Sequence, residues 1–310
     1  MIRIGVQSGH IFNDSNLEEG FAQLEQAGFD CVDFNIDEQL PGSQIYRGEI
    51  SGLFTKSTEE ILAHYQPHKE AAKRHHIAFG QMHAPFPVYL PGNEDMNRFL
   101  VEVMRKSMAV CQLLDCPYLV VHPAILAHEL GKEEEKRVNY AFYRALIPSA
   151  KQYGVKICLE NMFTVLHGKI REAVCSDFKE AVEYIDTLNA EAGEELFAFC
   201  FDLGHATILG KDIRESIRLL GSRLQVLHVH DNNGEEDLHL MPFTYAHNWG
   251  MDLVTDWEGF VKGLHEIGFS KTVSLETYRV MDAFPKEIRP QALALLAASA
   301  RYLANRVENG

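Results

Sequence analysis

The chain has 310 residues, 46% hydrophobic and 24% charged, with a formal net charge of -15. That is enough apolar material for one full core, while no run approaches the roughly 18 uninterrupted apolar residues that a membrane span needs. The acidic balance argues against a polyanion as main partner, although a metal cluster can reverse the local field.

The opening MIRIGVQSGH lacks the basic-then-apolar shape of a signal peptide and reads as a strand. Short β-rich runs then alternate with longer amphipathic ones to the end of the chain. Strands are predicted at Ile2–Gln7, Cys31–Ile36, Ile77–His83, Tyr118–His122, Lys156–Glu160, Leu196–Asp202, Leu224–His230 and Thr272–Glu276. Helices are predicted at Asn16–Ala27, Thr58–His75, Glu94–Leu114, Lys132–Tyr153, Ser176–Leu188, Asp212–Leu220, Asp256–Ile267 and Lys286–Val307. Ser57-Thr58-Glu59-Glu60 supplies a cap with acids in the first turn, and Gly28, Gly154 and Gly268 stand where helix ends call for glycine. Eight strand–helix units without a linker predict an α/β fold, a single (β/α)8 TIM barrel over residues 1–310. Longer connections at 37–57, 84–93 and 231–255 follow strands two, three and seven, on the side where a barrel builds its pocket. Six cysteines form no C-x-x-C pair, and Cys31, Cys158 and Cys200 lie inside apolar runs. They read as small core residues in a reducing cytoplasm.

Six apolar runs end on His, Asp or Glu: GQMHAP (80–85), YLVVHP (118–123), KICLEN (156–161), FAFCFDLGH (197–205), LQVLHVHD (224–231) and TVSLET (272–277). A charge or imidazole at the tip of a buried run is costly unless something neutralises it. Six in series point to one shared site, and a metal cluster is the simplest common partner. Glu160, Asp202, His230 and Glu276 offer three carboxylates and one imidazole, which suits zinc, manganese, magnesium or cobalt rather than an iron–sulfur centre. His83, His122, His205, Asp237 and His239 form an outlying set, available for further ions or for orienting substrate. In His228-Val229-His230 the period of two puts both imidazoles on one side of the strand, with His230 better placed as a ligand. Asp202 and His205 also read as a helix cap and a loop histidine. His64, His68, His75 and His76, on a polar helix, read as solvated surface.

The ordered set HAP, VVHP, LEN, FDLGH, HVHD and LET resembles the xylose isomerase-like TIM barrel superfamily, across nearly the whole chain. That superfamily includes sugar isomerases and epimerases, inosose dehydratase-like proteins and endonuclease IV. Similarity to the ketose 3-epimerases implies one divalent ion on Glu160, Asp202, His230 and Glu276. The two glutamates would exchange a proton on opposite faces of the substrate, through an enediolate, and His205 would contact substrate oxygens. Similarity to endonuclease IV implies instead a three-zinc site that adds His83, His122, His205, Asp237 and His239 and hydrolyses a phosphodiester. The chain departs from both at Met241 to Trp257, an aromatic stretch with Tyr245, His247 and Trp249 where a short glycine-rich turn is common. It reads either as a lid for a sugar ring or as a packed loop.

The leading expectation is a metal-dependent isomerase or epimerase of a sugar or sugar phosphate, with Glu160 and Glu276 catalytic and His83, His122, His205 and Trp249 binding substrate. Competing readings are a multinuclear zinc phosphodiesterase, a dehydratase or lyase on a polyol, and a noncatalytic sugar-binding barrel. The 231–255 connection contains no Lys or Arg, which disfavours a nucleic-acid groove. The expected partner is a small carbohydrate, with no membrane; homo-oligomerisation is left open.

Overall fold

The computed structural model describes residues 1–245 and 254–310. Its elements run β1 (Arg3–Gln7), α1 (Leu17–Ala27), β2 (Cys31–Asn35), α2 (Gly42–Tyr46), α3 (Thr58–Arg74), β3 (Ala78–His83), α4 (Glu94–Leu113), β4 (Tyr118–Val120), α5 (Gly131–Tyr153), β5 (Lys156–Glu160), β6 (Phe163–Leu166) and β7 (Lys169–Glu172). They continue with α6 (Phe178–Ala192), β8 (Phe197–Asp202), α7 (Leu203–Ile208), α8 (Ile213–Leu220), β9 (Leu224–His228), α9 (Trp257–Glu266), β10 (Thr272–Leu275), α10 (Tyr278–Ala283) and α11 (Arg289–Asn309). Eight strands pair side by side in the order β10-β1-β2-β3-β4-β5-β8-β9, and every pairing is parallel. A parallel bridge between Val229 and Leu275 brings β9 against β10. There the Val229 amide donates to the Ser274 carbonyl at 2.9 Å and the Glu276 amide to the Val229 carbonyl at 3.0 Å. The result is the expected TIM barrel, nearly closed.

Side-chain size alternates along the strands, and the alternation divides the interior in two. Leu119, Ile157, Leu159, Phe199, Phe201 and Leu227 belong to the main core between strands and helices. Their neighbours Val120, Cys158, Ala198, Cys200 and Val226 form a separate small cluster. Small residues fit the narrow axis of an eight-stranded barrel, while bulky ones fill the wider layer outside it. Two residues further along each strand, the same parity reaches His122, Glu160, Asp202 and His228. The chemistry-bearing side chains therefore sit where the axial core ends.

The helix signals hold. Ser57 and Glu60 form a capping box at the start of α3, and Gly28, Gly154 and Gly268 have φ of 89°, 65° and 66°. All six cysteines are buried free thiols. Among the described residues, no helix is long and apolar enough to cross a membrane.

Besides the short helix α2 in the 37–57 connection, three features were not expected. The connection after β5 carries an antiparallel hairpin of β6 and β7. Its turn residues His167 and Gly168 both have positive φ, 51° and 73°, as a two-residue turn of type I′ requires. The short helix α7 starts directly at the end of β8, with Asp202 as its cap. A short helix, α10, precedes the predicted last helix, which is α11.

Candidate active site

Each site side chain is held by the backbone of its own strand end and by one or two cross-links. Asn161, just past β5, exchanges a pair of hydrogen bonds with Asp202. Its Oδ1 accepts from the Asp202 amide at 2.8 Å, and its Nδ2 donates to the Asp202 carbonyl at 2.8 Å. The ends of β5 and β8 are thus locked together beneath Glu160 and Asp202. Asp202 Oδ1 accepts from the His205 amide at 2.6 Å, so the capping role read from D-L-G-H is real and coexists with the site. Gly204 lies so close to His230 that an added Cβ would collide with the imidazole ring. Glycine there allows His230 to stand over α7. Asp231 turns away and ties down the following connection: Oδ1 accepts from Thr255 Oγ1 at 2.7 Å, and Oδ2 accepts from the Thr244 and Tyr245 amides at 3.0 and 3.1 Å.

Glu160 is buried at the centre of one wall. His122 Nε2 hydrogen-bonds Glu160 Oε2 at 3.0 Å, and His83 Nε2 lies 3.0 Å from the same nitrogen of His122. From below, His228 Nδ1 is 3.1 Å from Glu160 Oε2 and 3.5 Å from Glu276 Oε2, while His228 Nε2 is 3.2 Å from Asp33 Oδ2. Gln81 Nε2 donates to that Asp33 oxygen at 2.9 Å. On the far wall Gln7 Nε2 donates to Glu276 Oε1 at 3.0 Å.

The two glutamates carry opposite electrostatics. Burial alone would raise the Glu160 carboxyl, but the His122 and His228 imidazoles hold it well below the usual carboxylate range. Burial pushes the Glu276 carboxyl up to about 8, with Asp202 and Glu160 adding to the rise and His228 opposing it. His228 itself, despite burial, is held well above the ordinary histidine value by Cys200, Glu276, Glu160 and Asp33. In the metal-free chain the surroundings thus favour the ionised form of Glu160 and the protonated form of Glu276.

The donor set fits divalent cations. Among the described residues, four groups of three bring their donor atoms within 4.8 Å of one another: Asp202–His230–Glu276, Glu160–Asp202–His205, His83–Glu160–His228 and His230–Asp237–His239. His205 Nδ1 donates to the Asn161 carbonyl and His239 Nδ1 to the Glu276 carbonyl, both at 2.9 Å. With Nδ1 so engaged, each ring presents Nε2 to Asp237, 3.5 and 3.0 Å from its Oδ2. This is how proteins orient imidazole ligands. The buried Nδ1 atoms of His83 and His122, and Oδ1 of Asp237, have no hydrogen-bond partner.

The cluster opens into a cavity of about 500 Å³, lined by Glu160, Glu276, His83, His122, His205, Asp237 and His239 and by the β1 and β2 connections. Nearly every site residue read from sequence converges here. Trp249 and His247 lie outside the described residues, and Tyr245 is exposed at the edge of that stretch. Lys169, Arg171 and Arg279 are on the surface. His68 corrects the reading of α3 as a solvated row: it is buried against Phe34 and Tyr65 and lines the cavity. Sequence reasoning missed Gln7, Asp33 and Gln81. Each is a polar residue on the axial face of an apolar strand, and that parity was the available signal.

A family described as xylose isomerase-like TIM barrel matches residues 21–304. The inosose isomerase of Bacillus velezensis is 23% identical over 267 residues, covering 86% of this chain and 85% of that protein. Among solved structures, a D-tagatose 3-epimerase-like protein superposes with a TM-score of 0.71 at 21% identity, over 99% of this chain and 100% of the other. The IOLI protein with a binding zinc atom superposes at 0.66 and 21% identity, over 99% and 98%. At such identities the superpositions speak for the fold alone. The breadth of the family match, together with the ordered strand ends, shows that this chain belongs to the xylose isomerase-like TIM barrel family.

Proposed function

We propose that this protein is a divalent-metal-dependent sugar isomerase or epimerase in which Glu160 and Glu276 move the proton. The observation that carries the reading is the pairing of two buried glutamates in one cavity, one among imidazoles and the other against a glutamine, beside donor groups that suit a divalent ion. Glu160 takes the proton from the carbon beside the substrate carbonyl, and Glu276 gives one to the opposite face; the return reaction reverses the roles. His205 positions substrate oxygens, and His122 and His228 hold Glu160 in its ionised form. Glu160, Asp202, His230 and Glu276 would hold a divalent ion, which would supply electrophilic polarisation of the substrate carbonyl. The inosose isomerase and epimerase names among the relatives, and the zinc of the IOLI protein, support the same reading.

A second reading, two- or three-ion phosphodiester hydrolysis, draws on the His230–Asp237–His239 group. Against it, no Lys or Arg lines the cavity among the described residues, and residues 246–253 contain none. Purified protein incubated with ketoses and inososes in deuterium oxide tests the proposal: deuterium enters the carbon beside the carbonyl, and Glu160→Gln or Glu276→Gln stops interconversion. Unchanged interconversion in either variant sinks the two-base mechanism, and cleavage of an abasic-site duplex would favour hydrolysis.

A further inference from the structure

The cavity has a second polar pole, where the β1–α1 connection meets α3. Asp14 stands there with Oδ1 3.1 Å from His68 Nε2 and Oδ2 3.3 Å from His64 Nε2. Gln39 Nε2 also donates to Oδ2, at 3.2 Å. His64 and His68 are four residues apart, so α3 presents both rings on one face. Asp14 is half exposed and lines the cavity beside the buried His68 and Tyr65. The Tyr65 hydroxyl and His68 Nδ1 are sealed from solvent without a hydrogen-bond partner. Asp14, His64 and His68 are not among the groups whose donor atoms approach within 4.8 Å of one another, so this pole is not built like the metal cluster. A carboxylate held by the Gln39 amide and flanked by two imidazole nitrogens, yet open towards the cavity, is a preorganised acceptor with lone pairs to spare.

We propose that Asp14 is a substrate-binding residue that accepts hydroxyl groups, taking the vicinal diol at the end of the polyol remote from the reacting carbon. His68 is its positioning residue. The inference rests on the isomerase or epimerase reading and narrows its substrate to one uncharged at the distal end. Asp37 and Glu38 line the same wall, and a phosphate there would meet carboxylates with no lining guanidinium or ammonium to pair with.

The test uses the metal-loaded full chain. Calorimetric titration with D-glucitol, D-glucitol 6-phosphate and erythritol, which lacks two of the distal hydroxyls, reads recognition without requiring turnover. Asp14→Asn is expected to weaken D-glucitol binding about tenfold while leaving erythritol unchanged, and the wild type binds the phosphate no more tightly than D-glucitol. His68→Leu follows Asp14→Asn, whereas His68→Gln, which keeps a donor towards the carboxylate, stays within about threefold of wild type. With D-fructose in deuterium oxide, Asp14→Asn raises KM and leaves kcat within about twofold. Absent D-glucitol binding by the wild type, an unchanged constant in Asp14→Asn, equal losses for both polyols, or tighter binding of the phosphate would each overturn the proposal. If the polyol titrations behave as expected and no ketose exchanges its proton, the isomerase reading fails and the diol site stands.

Discussion

The ends of β5 and β10 present the same residue type at the same axial position, and the two carboxyls differ in the proton they hold. Glu160 sits among imidazoles, with His122 hydrogen-bonded to it and His228 3.1 Å away. Glu276 sits against Gln7 and the Asp202 and Glu160 charges, with His228 more distant at 3.5 Å. Equal burial costs are therefore met by a counter-charge on one wall and by retention of the proton on the other. An acid and a base arise from identical side chains because their neighbours differ.

The largest effect that can break this comparison is on catalysis. Glu160→Gln and Glu276→Gln are each expected to cut interconversion of ketose epimers by about 10³-fold or more. Each variant should still exchange the proton of the epimer that faces the surviving glutamate, read by mass spectrometry of each epimer separately. Loss of exchange from both epimers in both variants would mean that the two residues do not act on opposite faces.

His228 is what ties the walls together, and His228→Leu leaves Glu160 and Asp33 buried without their shared imidazole. Chemical denaturation should register a loss of about 3–5 kcal/mol, with Glu160 losing its bias towards the ionised form. Gly204→Ala acts more narrowly, by driving a methyl group into the His230 ring. Metal affinity, measured by competition with a chromophoric chelator, should fall about 10- to 100-fold, while stability of the metal-free chain changes little by comparison.

The smallest effect is also the most direct reading of the asymmetry. In the metal-free protein the Glu276 carboxyl titrates at about 8, against an ordinary value of 4.5. Between those values the folded chain holds a proton that the unfolded chain has released, so this residue's contribution to stability falls as pH rises from about 4.5 to about 8. Glu276→Gln removes that slope: stability near that of the wild type at pH 4.5 and a gain that grows as pH rises towards 8, by denaturant titration. Glu160 has the opposite sign, because its lowered pKa stabilises the fold at neutral pH and that stabilisation is lost on acidification. A Glu276→Gln variant whose pH profile parallels the wild type would show that the two walls are electrostatically alike.

Much of the site was legible before folding. Glu160, Asp202, His230 and Glu276 each follow an apolar run with the parity of the barrel axis, and such a pattern is written within a handful of consecutive residues. Gln7, Asp33 and Gln81 obeyed the same parity, but Asp33 and Gln81 sit inside their runs and Gln7 ends its run as a neutral amide, so a search of strand ends for His, Asp and Glu passed over them. The hairpin was missed for a different reason: four-residue strands carry little periodicity, and only the turn at His167-Gly168 announced them. His68 misled because α3 is polar by composition. A cavity wall contributed by Phe34 and Asp14, distant in sequence, is what buries it.

Local pattern by itself determined the alternation of strands and helices, the parallel barrel and the side of it on which the acids and imidazoles gather. Those properties depend on periodicity and on the direction of each strand, which neighbouring residues encode. The tertiary structure alone decided which glutamate is ionised, which face of α3 enters the cavity and how Asp14 acquires its partners. Proton affinity and burial are set by groups within a few ångströms, and in a closed barrel those groups come from strands and helices dozens to hundreds of residues apart.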